Sequence, residues 1–270
     1  MHTLLGYWIA DLLVRLLPAR VSHNLALGLA RLVFALHLPA RAMLEHNLRR
    51  VSPRASAARR RRLAREGFEH FALSLVEFLR PHQIPAEPLA GSVDVRGQRH
   101  LEAARGAERG VIVLSAHAGS WECGAAWLAS RGIPLHVVAR THRHPWVERL
   151  FVRRRAQRGV RTIPGRPVWT RAARLLRDGQ WVALMGDRMD ARSRTTPGAW
   201  AAALARRTGA LVLPAVILRE RGGRYTAHFG APLDPGACRA GSDYEALLPV
   251  LRRAPGQWLA LEALPAGWAR

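Results

Sequence analysis

The stretch VIVLSAHAGSWECGAAWL, residues 111–128, decides how the rest of the chain reads. An uninterrupted apolar run ends on His117, the small residues Ala118, Gly119 and Ser120 follow, and a helical pattern over 121–131 resumes with Glu122 near its start. A short β-branched run bounded by a turn and followed by a helix reads as a buried strand, the first half of a βα unit. Open parallel sheets place their binding crevices outside the carboxyl ends of the strands. His117 stands at such an end.

Outward from this unit the texture repeats. Short apolar runs at 93–96, 135–139, 161–163, 181–186 and 211–218 alternate with helical segments at 145–158, 168–178 and 197–208. That alternation is the signature of βαβ units and a parallel sheet. GRYTAHFG, 223–230, reads as a late strand and 243–253 as a closing helix. The expected fold is α/β, a mainly parallel central sheet flanked by helices, with an N-terminal helical, membrane-associating region. The helical region is assigned to 1–90 and the α/β part to 91–270, packed as one structural unit.

Two apolar helices are expected near the N-terminus, at 3–17 and 24–38. Leu4, Leu5, Trp8, Leu12 and Leu16 form a helical stripe, with Asp11 and Arg15 elsewhere on the wheel. Such helices lie in a membrane interface with Arg15, Arg20 and Arg31 reaching phosphates, or pack on the protein's own core. Neither a signal peptide nor a transmembrane span is expected, because the run has no basic start and Asp11 and Arg15 interrupt it. A longer helix is expected over 54–80, with Leu63, Phe68, Phe71, Leu75, Phe78 and Leu79 on one side and RRRR at 59–62. Pro81 ends it. The charge run is either a solvated face or part of a general basic surplus.

That surplus is large: 42 basic against 19 acidic residues in 270, a formal charge of +23. Such a surface attracts nucleic acid, anionic lipid headgroups or an acidic carrier protein. All the basic side chains counted are Arg, whose forked guanidinium suits phosphate. A hydrophobic fraction of 49% supplies a sizeable core and argues against disorder. Cys123 and Cys238 are too few for a disulfide framework or a four-Cys zinc site, so a reducing cytosol is expected.

At the strand end, Glu122 in the first helical turn is expected to accept a hydrogen bond from one ring nitrogen of His117, leaving the other to take a proton from an alcohol. The competing reading makes His117 a core histidine and Glu122 a complement to the helix dipole. Ala118, Gly119 and Ser120 allow a tight turn with close backbone approach. Asp187 and Arg188, in LMGDR, follow another apolar run and fall on the same sheet edge. They bind a substrate or position the loop, or Asp187 caps the next turn. A hydrolase is the main rival, although no GxSxG nucleophile elbow occurs and only Ser115 or Ser120 could substitute. A nucleic-acid binder would leave the His117 strand end unexplained, and a site of His117, Glu122 and Asp187 matches no zinc spacing.

The order of these blocks resembles the lipid A biosynthesis (late) acyltransferase family, within the glycerolipid and lysophospholipid acyltransferase-like superfamily. The resemblance rests on VDVRGQRHLEAARGAERGVIVLSAHAGSWECGAAWL, VVARTHRHPWVERLFVRRRAQRG, WVALMGDRMD, TTPGAWAAALARRTGALVLPAV and APGQWLALE. It implies acyl transfer from a thioester, on acyl carrier protein or coenzyme A, to a hydroxyl of a membrane glycolipid such as a lipid A precursor. His117 would be the general base, Glu122 would orient it and stabilise the imidazolium, and the oxyanion would be held by backbone amides at the Gly119–Ser120 turn or by a nearby Arg. No cofactor or metal is implied beyond the acyl donor as co-substrate. Residues 140–177 carry twelve Arg against one Glu, enough to hold a diphosphate or sugar phosphate by charge-assisted hydrogen bonds. Arg140 comes first, and the family pattern points next to Arg154, Arg155 and Arg158. The implied partners are anionic membrane lipids, a glycolipid acceptor and acyl carrier protein, with no nucleic acid. The implied setting is a monomer on the cytoplasmic face of the bacterial inner membrane. Relatives carry a longer, apolar insert where this chain has only MDARSR, 189–194.

Overall fold

The computed structural model describes residues 2–80, 93–139, 141–165, 167–187, 197–238 and 242–264. Arg140, Arg188 and the short segment 189–194 lie outside these residues.

Four helices come first: α1 (His2–Leu16), α2 (Ala19–Leu36), α3 (Leu38–Val51) and α4 (Ala57–Leu79). The helix expected over 24–38 begins earlier and stops at Leu36. His37 caps a new helix there, accepting from the Ala40 amide at 3.2 Å, and Pro39 sits in the first turn of α3, where its missing N–H costs nothing. α3 was not foreseen. α4 starts at Ser56, whose hydroxyl accepts from the Arg59 amide.

The α/β part runs β1 (Val93–Arg96), α5 (Gln98–Gly106), β2 (Val111–Ser115), α6 (Trp121–Ser130), β3 (Leu135–Val137), α7 (Pro145–Ala156), β4 (Arg161–Thr162), α8 (Val168–Arg177), β5 (Trp181–Met185), α9 (Pro197–Thr208), β6 (Leu211–Arg219), β7 (Tyr225–Phe229) and α10 (Ser242–Arg253). All seven expected strands are present. The nine-residue α5 between β1 and β2 was missed.

The strands form one sheet in the order β1-β7-β6-β2-β5-β3-β4. β6, β2, β5, β3 and β4 are mutually parallel, whereas β7 is antiparallel to β6 and parallel to β1. β2 is central and fully buried over Val111–Leu114, as its unbroken apolar run requires. One face of the sheet shares its core with the N-terminal helices: Phe34, Leu44, Leu48, Leu63 and Phe68 cluster with Ile112, Leu114, Val182 and Val212. The other face packs on α5 and α6 through Leu101, Trp127 and Leu128.

The N-terminal helices leave an apolar face uncovered. Leu5, Trp8, Leu12 and Leu16 on α1 and Leu25, Leu29, Leu32 and Leu36 on α2 are exposed, Leu16 and Leu36 by 71% and 72%. No single helix among the described residues is long and apolar enough to cross a bilayer. α2 and α3 reach that standard only as a pair, and they meet at 91°.

Candidate active site

His117 lies two residues beyond β2, and Asp187 lies two residues beyond β5. These strands are neighbours, with Ser115 opposite Met185. Continuing the register by two residues sets position 117 opposite position 187. Asp187 Oδ1 is 2.7 Å from His117 Nδ1, and Asp187 Oδ2 accepts from the His117 backbone N–H at 2.8 Å and from the Trp258 indole N–H at 2.9 Å.

Asp187 is fully buried. Burial pushes its carboxyl pKa up, but the His117 charge and the hydrogen bonds from His117 and Trp258 outweigh that and hold it below the usual carboxylate value. An ionised carboxylate accepts only, so Nδ1 donates to Asp187, and whenever the ring is neutral its lone pair sits on Nε2. Nε2 makes no hydrogen bond among the described residues, and the side chain keeps 14% exposure. The Trp121 ring stands edge-on to the imidazole at 5.3 Å and stacks at 6.1 Å on half-exposed Phe71 of α4.

The turn between His117 and α6 is fixed by glycine. Gly119 has φ +61°, and a Cβ there would lie 1.8 Å from the Ile217 carbonyl oxygen, so the turn runs against β6 with no room for a side chain. The amides proposed for an oxyanion are already used: Gly119 N–H bonds the Gln257 carbonyl at 3.0 Å and Ser120 N–H the Ile217 carbonyl at 3.2 Å.

Beneath the turn lies a polar cluster absent from the sequence reading. Glu77 of α4 accepts from Ser120 Oγ at 3.0 Å and Tyr225 OH at 2.9 Å, and pairs with Arg219 at the end of β6. Burial opposes the Arg219 charge, but Glu77 keeps its pKa above the usual value. Arg219 also donates to Ser74, which donates to the Gly119 carbonyl at 3.0 Å. Cys123 touches this cluster, and burial pushes its thiol up to about 12, which removes it as a nucleophile.

The structure does not bring Glu122 to His117. Its carboxylate grips Arg155 of α7 in a fork, with Nη2 at 2.7 Å and Nε at 3.1 and 3.2 Å. The reason is helical geometry. Trp121 at the first position of α6 faces His117, and Glu122, a hundred degrees further round, faces α7. Asp187 makes the contact that the sequence suggested for Glu122, and makes it from a buried position rather than one open to an acceptor.

The other arginines are also engaged internally. Arg154 is buried against Asp11 of α1 at 2.8 Å. Arg155, besides Glu122, lies over the Phe78 and Phe151 rings. Arg158 donates to the carbonyls of Glu77, Phe78 and Arg80, closing the C-terminal end of α4, and burial pulls its pKa down. These three guanidiniums join α7 and the turn after it to α1, α4 and α6.

A model of the bacterial lipid A biosynthesis acyltransferases matches residues 3–260. The chain belongs to that family. Its members' activity is acyl transfer on lipid substrates, which makes this chain an acyltransferase of lipid metabolism. Among solved structures, the chain is similar to the 1-acyl-sn-glycerophosphate acyltransferase of Thermotoga maritima, with 12% identity, coverage of 87% of this chain and 96% of that one, and a TM-score of 0.40. No curated protein matches. In this lipid A acyltransferase family member, the missed site residues are Trp258, Glu77 and Trp121, together with the role of Asp187. Only Asp187 left a usable signal, an acid two residues past an apolar strand as His117 is past its own.

Proposed function

We propose that the protein transfers an acyl group from an acyl thioester, on acyl carrier protein or coenzyme A, to a hydroxyl of a membrane glycolipid such as a lipid A precursor, with His117 as general base. The observation that carries this is the Asp187-held imidazole with Nε2 free. Nε2 takes the acceptor's hydroxyl proton as the oxygen attacks the thioester carbonyl. The C–S bond then breaks, and the imidazolium returns the proton to the departing thiolate, so no acyl-enzyme forms. Asp187 stays ionised and supports the imidazolium. The first-turn amides of α6, which no intrahelical carbonyl can reach, are donors for the oxyanion.

A serine hydrolase has less support, because the Ser120 hydroxyl is directed to Glu77 rather than His117. The exposed apolar face of α1 and α2 supports a peripheral position at a membrane surface, in keeping with the cytoplasmic face of the inner membrane.

The test is transfer of labelled acyl groups from each thioester to a bacterial lipid extract. His117→Ala is expected to lower turnover by about 10²- to 10⁴-fold while the protein stays folded, its melting temperature lowered by no more than the loss of one hydrogen bond to buried Asp187 accounts for. Wild-type transfer by that variant, or release of free fatty acid alone by the native protein, refutes the proposal. Mass spectrometry of cell lipids with and without the gene identifies the acceptor.

A further inference from the structure

A groove of about 470 Å³ opens where the end of α2 meets α3 and the start of α4, far along the chain from His117. Its lining is Phe34 and Ala35 of α2, Arg41 of α3, and Ala58, Arg61, Arg62 and Arg65 of α4. The α4 residues are spaced i, i+3, i+4, i+7, so the three arginines share one helix face.

We propose that this groove binds the phosphate of an anionic lipid headgroup at the bilayer surface. The inference rests on the membrane-surface part of the functional reading and adds a specific site to it.

The arginines have cationic capacity to spare. Arg61 and Arg62 make no ion pair or side-chain hydrogen bond among the described residues. Arg41 reaches Glu45, and Arg65 reaches Glu69, only at 3.7 Å, and Glu69 is already held by Arg31 of α2 at 2.8 Å. Five guanidiniums therefore share two carboxylates. Phe34 supplies an apolar wall with Arg41 over its ring at 5.6 Å.

The neighbouring surface selects the occupant. Ala35 borders the groove, and Leu32 lies sixty degrees round α2 from it, on the exposed stripe with Leu25, Leu29 and Leu36. Nucleic acid would meet the arginines and leave that stripe in water. A bilayer satisfies both, taking the leucines into the acyl region and the guanidiniums to the phosphates.

Flotation of the full-length protein with vesicles of phosphatidylcholine, alone or mixed with phosphatidylglycerol, tests the site. R61Q/R62Q should bind the anionic vesicles about 10- to 30-fold more weakly than wild type and the zwitterionic vesicles equally. R61K/R62K should recover much of the loss, which excludes misfolding as its cause. A control of equal charge change on the exposed face of α8, R174Q/R177Q, should shift binding by about 3-fold or less. Equal losses in both pairs would reduce the groove to net charge and overturn the proposal. So would wild-type binding by R61Q/R62Q, or displacement of the native protein from vesicles by millimolar inorganic phosphate, which would mark a free-phosphate site. Turnover of detergent-dispersed lipid is measured in parallel. Absence of turnover in the native protein would sink the acyl-transfer reading and leave the vesicle result standing.

Discussion

Replacing Asp187 by Asn alters almost no volume yet should disable the imidazole. In the native protein three N–H groups converge on the carboxylate: His117 Nδ1–H on Oδ1, and the His117 backbone and Trp258 indole on Oδ2. Asn offers one oxygen and an NH₂ group. If its oxygen faces Nδ1, the NH₂ group faces two buried donors, which lose their acceptor at about 1–3 kcal/mol each. If its oxygen instead faces those two donors, the NH₂ group meets Nδ1, which must then accept, and the imidazole proton moves to Nε2. The second arrangement is favoured by about 2–6 kcal/mol. It holds the ring in the tautomer that cannot take a proton, a penalty of roughly 30- to 10⁴-fold at 1.4 kcal/mol per decade. Turnover should fall by that factor, while the melting temperature drops by only a few degrees because two of the three bonds survive. Steady-state acyl transfer and a thermal melt on the same preparation read both. A folded D187N protein within threefold of wild type would refute the assignment.

Three further outcomes follow from the same contacts. Trp258→Phe removes one N–H from Asp187, which raises the carboxylate pKa; activity should fall about tenfold and the acid limb of its pH profile move to higher pH, since a hydrogen bond to a charged group contributes about 1.5–3 kcal/mol. Glu122→Gln and Arg155→Met should each destabilise the fold by about 3–5 kcal/mol by stranding a largely buried charge, and the double variant should be less damaged than the sum of the two; additive losses would show that the fork contributes nothing. His70, whose pKa falls from 6.5 to about 4 through burial and then the Arg219 charge, is held neutral by the fold. Its contribution is complete above the unfolded pKa and is lost as pH drops from about 6.5 to 4, so stability should decline by up to about 3 kcal/mol across that interval. His70→Gln should flatten the decline.

Much of the fold was legible because its signals are local. The buried strands are continuous apolar runs, and Gly and Pro mark their ends. α3 escaped because its composition is polar and the His37 break falls inside an apolar stretch, where a cap contact between His37 and Ala40 rather than a loop divides the helices. The reversed direction of β7 was also invisible, since a strand's periodicity does not encode its neighbour's polarity. The site was half legible. His117 is marked by its place after β2, but the acid nearest to it in the sequence, Glu122, lies five residues away in the same unit and faces α7 instead. The real contact comes from β5, seventy residues later, and depends on strand order, which composition and spacing do not specify. The arginines misled for a related reason. A dense cationic stretch reads as a phosphate surface, and only packing reveals that Arg154, Arg155 and Arg158 face Asp11, Glu122 and helix-end carbonyls.

The segment around 257–259 threads behind the catalytic candidate: Leu259 N–H bonds the His117 carbonyl, Ala118 bridges to Trp258, and Gln257 takes the Gly119 amide. During synthesis, then, a nascent polypeptide that has already formed its central strands still lacks the piece that locks the imidazole and its acid in place. A polypeptide that stops short of Trp258 therefore carries His117 and Asp187 without the contacts that set them, and its imidazole should stay unheld however complete the central strands are.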